Sequence, residues 1–165
     1  MAAMAALDGL LYRLDPHTCV VTAAAGGEGA GCLVGFHSQC SLNPVRYIVW
    51  LSDVNHTFRV ARSAEVLAVH LLARERYGTA ELFGGRTGDE TDKFRRTGWR
   101  ERHGGAAVLD DAEAWFVGRV VERADGGDHV GHVLEPVEWG GREGAGGALL
   151  RLADARTIRP GHRVE

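Results

Sequence analysis

The stretch from Ala112 to Trp139 limits the fold more than any other. Two strand-length runs, "AEAWFVGRVVERA" and "DHVGHVLEPVEW", flank Asp125-Gly126-Gly127. Glycine reaches positive φ at no steric cost, so this tripeptide reverses the chain and the two runs pair antiparallel. A second stretch repeats the design. "TCVVTAAAGGEGAGCLVGF" reads as strand, glycine turn, strand. Its glycines do not make a nucleotide loop. A phosphate loop needs Gly-Lys-Ser/Thr opening a helix, and here the glycines lead into Cys32-Leu33-Val34-Gly35-Phe36 with no lysine and no helical period.

"RYIVWLS", Arg46 to Ser52, is apolar on both alternating faces, as in a strand covered on both sides. "VLAVHLL" is a further strand and "ALLRL" a final one. Helices are expected at the start, "MAAMAALDGLLYRLD", from His56 to about Ala64, and over "ERYGTAELFGG", which glycine closes. In the second of these, Phe58 and Ala61 face inward, and Arg59 and Arg62 face solvent. "RTGDETDKFRRTGWRERHGG" reads as a long surface loop or short helix, and "RTIRPGHRVE" as a frayed tail. The sum is a mainly β chain: a small closed β-barrel carrying a few short helices, one domain over residues 1–165.

Bulk properties remove several function classes. A net charge of −3 gives no electrostatic reason for nucleic-acid binding. No apolar run approaches the ~20 residues that span a bilayer, and the start lacks the basic-then-apolar order of a signal peptide. Three cysteines, Cys19, Cys32 and Cys40, form an odd count with no close pairing, which fits reduced thiols in a cytoplasm. There is no H-E-x-x-H or C-x-x-C motif, and no metal is expected.

Four places carry possible chemistry. Asn55-His56-Thr57 lies between a buried strand and a helix start. It reads either as a plain cap, with Asn55 accepting a backbone N–H, or as a phosphate seat of amides and small donors. "GFHSQCSLNP" is either a strand leaving the core or an edge whose backbone, Ser38, Gln39 and Ser41 contact a heterocycle. His129 and His132 stand three apart, hence on opposite strand faces, which disfavours one shared metal. "DETDKF" is either a solvated turn anchored by Phe94 or a mobile flap whose Lys93 and Phe94 cover a planar ligand.

In this order the pieces resemble the flavin reductase family with the FMN-binding split β-barrel fold, from about Pro16 to Leu150. "CVVTA", the run ending Ser41-Leu42-Asn43-Pro44, "YIVWLSDVNHT", "AELFGG…DKF…GW" and "GGDHVGHVLEPV" match successive family segments. The resemblance implies a homodimer with FMN near the subunit interface, and hydride transfer from NAD(P)H to flavin. By position it implies that Gly35, Phe36, Ser38, Gln39, Cys40 and Ser41 lie along the isoalloxazine and ribityl chain. Asn55, His56 and Thr57 take the phosphate. Phe94, His129 and Lys93 lie on the nicotinamide side. No acid–base residue is expected, because the cofactor supplies the reactivity. A flavin-dependent monooxygenase is the partner implied for reduced flavin. FAD or the deazaflavin F420 are the other cofactors considered. The alternative reading is a flavin- or F420-binding split barrel without NAD(P)H:flavin reductase activity.

Overall fold

Glycine turns at Gly26-Gly27 and Gly127, all at positive φ, set the two predicted hairpins. A computed structural model describes residues 1–88 and 92–161. The first hairpin joins β1 (Cys19–Ala25) to β2 (Glu28–Val34), and the last joins β8 (Ala114–Asp125) to β9 (His129–Gly141). Between them lie β3 (His37–Leu42), β4 (Val45–Ser52) and β5 (Val66–Leu71). These seven strands form one antiparallel sheet in the order β2-β1-β5-β8-β9-β4-β3.

The sheet curls until its distant parts meet. Cys19 and Val21 of β1, Ala30 and Cys32 of β2, Val49 and Leu51 of β4 and Leu134 of β9 share one buried core. Hydrophobic burial rolls the sheet, while β2 and β3 remain its two ends in the hydrogen-bonded order. The barrel is therefore split, as the family resemblance implied, although the strand pattern alone suggested a closed one.

Helix α1 (Ala2–Leu14) precedes the sheet, α2 (His56–Ala61) follows β4, and α3 (Tyr77–Gly85) follows β5. Asn55 caps α2 as expected, its side chain accepting the Thr57 N–H at 2.8 Å. The helix is shorter than expected. Ser63 and Ala64 donate to carbonyls three residues back, and Arg123 reaches in to bond the Ala61 and Ala64 carbonyls, so the last turn unwinds toward β5. Arg59 and Arg62 are exposed and Ala61 is buried, as the helical period requires.

Three further expectations change. The long polar segment contains β6 (Trp99–Glu101), which pairs with β7 (Ala107–Leu109) as a separate two-stranded sheet. Asp89, Glu90 and Thr91 of "DETDKF" lie outside the described residues. "ALLRL" is not a strand of the sheet. It is a strap: Thr18 N–H donates to Leu150 O, Leu150 N–H to Leu72 O and Leu152 N–H to Pro16 O, so it bonds alternately to two segments. The tail to Gly161 is not frayed, because Ile158 packs on the cluster of Phe83, Leu72 and Leu150.

Candidate active site

At the corner where β2 ends and β3 begins, a cleft of about 740 Å³ opens toward the end of β4 and the start of β9. A smaller hollow of about 190 Å³ shares Cys32, Leu33, Gly35, Asn55 and Leu152 with it, and adds Arg86 and Thr87 past the end of α3. The walls are Leu33, Phe36, Trp50 and Leu152, with polar groups at one end, which is the usual make-up of a small-molecule site.

The polar end is built by β4 and the β8–β9 turn. Asp53 N–H donates to Asp128 O at 3.0 Å, tying the strand end to that turn. Asn55 then opens α2 and lines both hollows. Its carboxamide oxygen accepts the Thr57 N–H and so caps α2. Arg86 is exposed at the mouth and brings positive charge. Asp53 and Asp128 bring negative charge to the larger cleft.

Beside that turn, the His129 and Phe36 rings meet at a tilt of 55° with centroids 5.1 Å apart. His129 Nδ1 donates to Asp128 Oδ1 at 2.6 Å. That bond fixes the ring, and it holds the Asp128 carboxyl below its usual range. Cys32, at the floor, is inert toward ionisation. Burial pushes its thiol up to about 11, against the Thr57 hydrogen bond and the Lys93 charge, which pull it down.

The predicted site residues separate into three groups. Gly35, Phe36, Asn55 and His129 meet in this cleft. Ser38, Gln39 and Cys40 stand exposed on β3, with Ser41 half-buried after a register shift between Gln39 and Ser41. They form an edge beside the cleft and are not among the residues that line it. His56, Thr57, Lys93 and Phe94 do not line this cleft. Thr57 is 1% exposed and turned to Cys32. His56 Nε2 pairs with Glu28 Oε1 at 3.0 Å and faces a different hollow of about 700 Å³. Phe94 lines that second hollow, edge-on to Phe83 and Trp99. Lys93 is 4% exposed, and its ammonium donates to Gly31 O at 2.8 Å and Phe83 O at 2.9 Å. Burial lowers its pKa. It clamps Lys93 and its neighbours to β2 and α3.

Sequence reasoning missed Arg86, Trp50, Asp128 and Leu152. Asp128 was visible as the neighbour of His129. Leu152 sat in a stretch read as a strand end, with no signal for a strap. Among the described residues, no cluster of three or more His, Cys, Asp or Glu is placed to hold a metal, and no helix is long and apolar enough to cross a membrane.

Residues 11–158 match the model of the flavin reductase like domain. This chain belongs to that family. The FMN reductase (NADH) RutF of Agrobacterium fabrum is 31% identical over 119 residues, covering 72% of this chain and 68% of that one. The FMN reductase (NADH) RutF of Ancylobacter novellus is 30% identical over 137 residues, covering 81% and 75%. The NADH:FAD oxidoreductase SgcE6 of Streptomyces globisporus superposes with a TM-score of 0.75 at 20% identity, covering 82% of this chain and 81% of that one. The FMN-binding protein of Thermus thermophilus gives 0.74 at 19%, covering 88% and 77%. These solved structures share the fold of this flavin reductase family member.

The residues present fit a flavin. A cleft of this volume suits a ligand with one planar and one anionic end. Its planar section is walled by Phe36, Trp50 and Leu152, and its far end carries Arg86, Thr87 and the start of α2. A Cβ on Gly35 would sit 3.2 Å from Leu152 Cδ1, so a larger residue there would crowd the passage between the two hollows.

Proposed function

We propose that this chain is an NAD(P)H-dependent flavin reductase, working as one domain over residues 1–165 and using FMN, with FAD as the alternative flavin. The observation that carries the reading is the convergence of Gly35, Phe36, Asn55 and His129 on one cleft in a chain of this family. Flavin, when bound, supplies a ring that accepts hydride. The protein binds, orients and excludes water.

Arg86, exposed at the mouth of the smaller hollow, holds the phosphate by charge. Phe36, Trp50 and Leu152 enclose the ring and keep water from it. His129, oriented by Asp128, offers its Nε2 to the nicotinamide carboxamide. Placing donor and acceptor together lowers the barrier by up to ~7–11 kcal/mol, so hydride transfer is served by orientation. The same reading includes a homodimer, a cytoplasmic location and a flavin-dependent monooxygenase that consumes the reduced flavin.

Fluorescence titration with FMN, followed by NADH and NADPH oxidation with and without added FMN, tests this. Saturable binding and FMN-dependent oxidation are expected. Binding without oxidation would favour a flavin carrier, and binding of F420 alone would replace the cofactor.

A further inference from the structure

Phe36 walls the cleft, and the residue after it carries bonds of its own. His37 pairs with Val49 at the start of β3, which puts its ring on the face of β4 that holds Tyr47 and Val49. Phe36 and Trp50 belong to the opposite face and line the cleft. His37 is half-buried and lines neither hollow of the site. Both of its ring nitrogens are engaged. Nε2 lies 2.5 Å from His17 O, and Nδ1 lies 2.6 Å from the Tyr47 hydroxyl. A carbonyl only accepts, so Nε2 carries the proton, Nδ1 accepts, and the Tyr47 O–H donates. Burial pushes the Tyr47 hydroxyl up to about 12 and lowers the His37 pKa. Near neutral pH the donor therefore keeps its proton and the ring stays neutral.

The bonds of this ring lead to two walls of the cleft. On one side, Phe36 O accepts the Trp50 N–H at 3.0 Å, one residue from His37. On the other, the strap is bonded on both flanks of His17. Pro16 O accepts the Leu152 N–H at 2.9 Å, and the Thr18 N–H donates to Leu150 O at 3.0 Å. Leu152 faces Gly35, where an added Cβ would stand 3.2 Å from its Cδ1. The His37 ring thus joins the backbone that carries Phe36 to the backbone beside Leu152. Tyr47, edge-on to Phe116 with centroids 5.3 Å apart, anchors the joint to the sheet.

We propose that His37 is a positioning residue for the flavin ring: from behind the wall it sets the spacing between Phe36 and Leu152, with the Tyr47 hydroxyl orienting it. The assignment rests on the flavin reading of the cleft given above. Directional hydrogen bonds hold two backbone segments at one distance more strictly than apolar contact does, and the seating of a reacting ring tolerates little looseness. Removing the imidazole would leave His17 O and the Tyr47 hydroxyl without this partner.

Fluorescence titration with FMN and, in parallel, with riboflavin tests this, together with the visible circular dichroism of the bound flavin and a thermal melt of each flavin-free variant. His37→Phe keeps a ring and loses both bonds. It is expected to raise the flavin dissociation constant about tenfold, on the scale of one or two hydrogen bonds. The rise is expected to be equal for both flavins, since riboflavin lacks only the phosphate that Arg86 meets. The dichroic band of the bound flavin is expected to change as its seat loosens. His37→Gln offers an N–H to His17 O and an oxygen to the Tyr47 hydroxyl, so it is expected to recover most of the affinity and the wild-type band. Tyr47→Phe keeps the contact with Phe116, loses one bond, and is expected to weaken both flavins severalfold. A His37→Phe variant that melts lower yet binds both flavins as wild type does, with an unchanged band, would overturn the assignment and leave the flavin reading standing. So would a loss confined to FMN, which would move the effect to the phosphate end, or a glutamine variant as weak as the phenylalanine one. Where His37→Phe does not fold, Tyr47→Phe decides, and wild-type affinity in that variant overturns the assignment. Wild type that binds neither flavin would overturn the flavin reading itself, and this assignment with it.

Discussion

At the scale of single residues, the loop after β4 shows what sequence yields and what packing decides. Capping is local, so Asn55 could be read from its position before a helix, and its side chain does cap α2. Side-chain direction on α2 is not local. Successive residues turn by about 100° around a helix, and the seating of α2 on β1 and β2 sends His56 to Glu28 and Thr57 to Cys32. Thr57→Val is therefore expected to lower thermal stability while leaving FMN affinity unchanged. A weakened FMN dissociation constant in that variant would return Thr57 to the phosphate. Asn55→Ala is expected to cost about 1 kcal/mol in urea unfolding, the worth of a cap, and to weaken FMN as well. On the β9 side of the cleft, His129→Ala is expected to raise the KM for NADH severalfold with FMN affinity nearly unchanged, since the His129 ring lies beside Phe36 and its Nδ1 is already held by Asp128. Loss of FMN binding as the main effect would move His129 to the flavin.

At the scale of elements, the hairpins were legible because glycine turns are written in two or three adjacent letters. The strap at Leu149–Leu152 was not, because its bonds go to residues more than seventy positions away. Lys93 gives the same lesson. A lysine in a charged run reads as solvated, yet its ammonium is buried against Gly31 O and Phe83 O, over the Phe83 ring at 5.6 Å. That clamp joins the segment at Lys93–Arg95 to β2 and α3. Lys93→Met keeps much of the stem but leaves two buried carbonyls without a donor, so a loss of about 1–3 kcal/mol is expected. Chemical denaturation measures it. An unchanged midpoint would show that water serves those carbonyls equally well and that the clamp carries no weight.

At the scale of the whole molecule, sheet order was the least legible feature. Which strands become neighbours depends on where buried side chains meet after curling, as β1 and β5 do. One such meeting buries His70 completely. Its Nδ1 donates to Val20 O at 2.9 Å, and its Nε2 accepts the Leu109 N–H at 3.1 Å, which joins β5, β1 and β7 through a neutral ring. Protonation would turn the accepting nitrogen into a second donor facing an N–H. Burial accordingly pulls its pKa down to about 4. Between that value and the unfolded value near ~6.5, the unfolded chain holds the proton and the folded chain does not. Stability must then fall as pH drops through this window, by roughly 3 kcal/mol for His70 alone. His37 and His132 are also held low by burial and act with the same sign. The carboxylates Asp128, Glu135 and Asp154, held below their usual range by His129, Arg46 and the Arg151 N–H respectively, lose their contribution only at still lower pH. Urea unfolding at a series of pH values from 7 to about 4 should therefore show a decline that begins near ~6.5, above the carboxylate range. A stability flat down to the carboxylate range would mean that these histidines are already protonated in the fold, and the neutral bridge at His70 would be wrong.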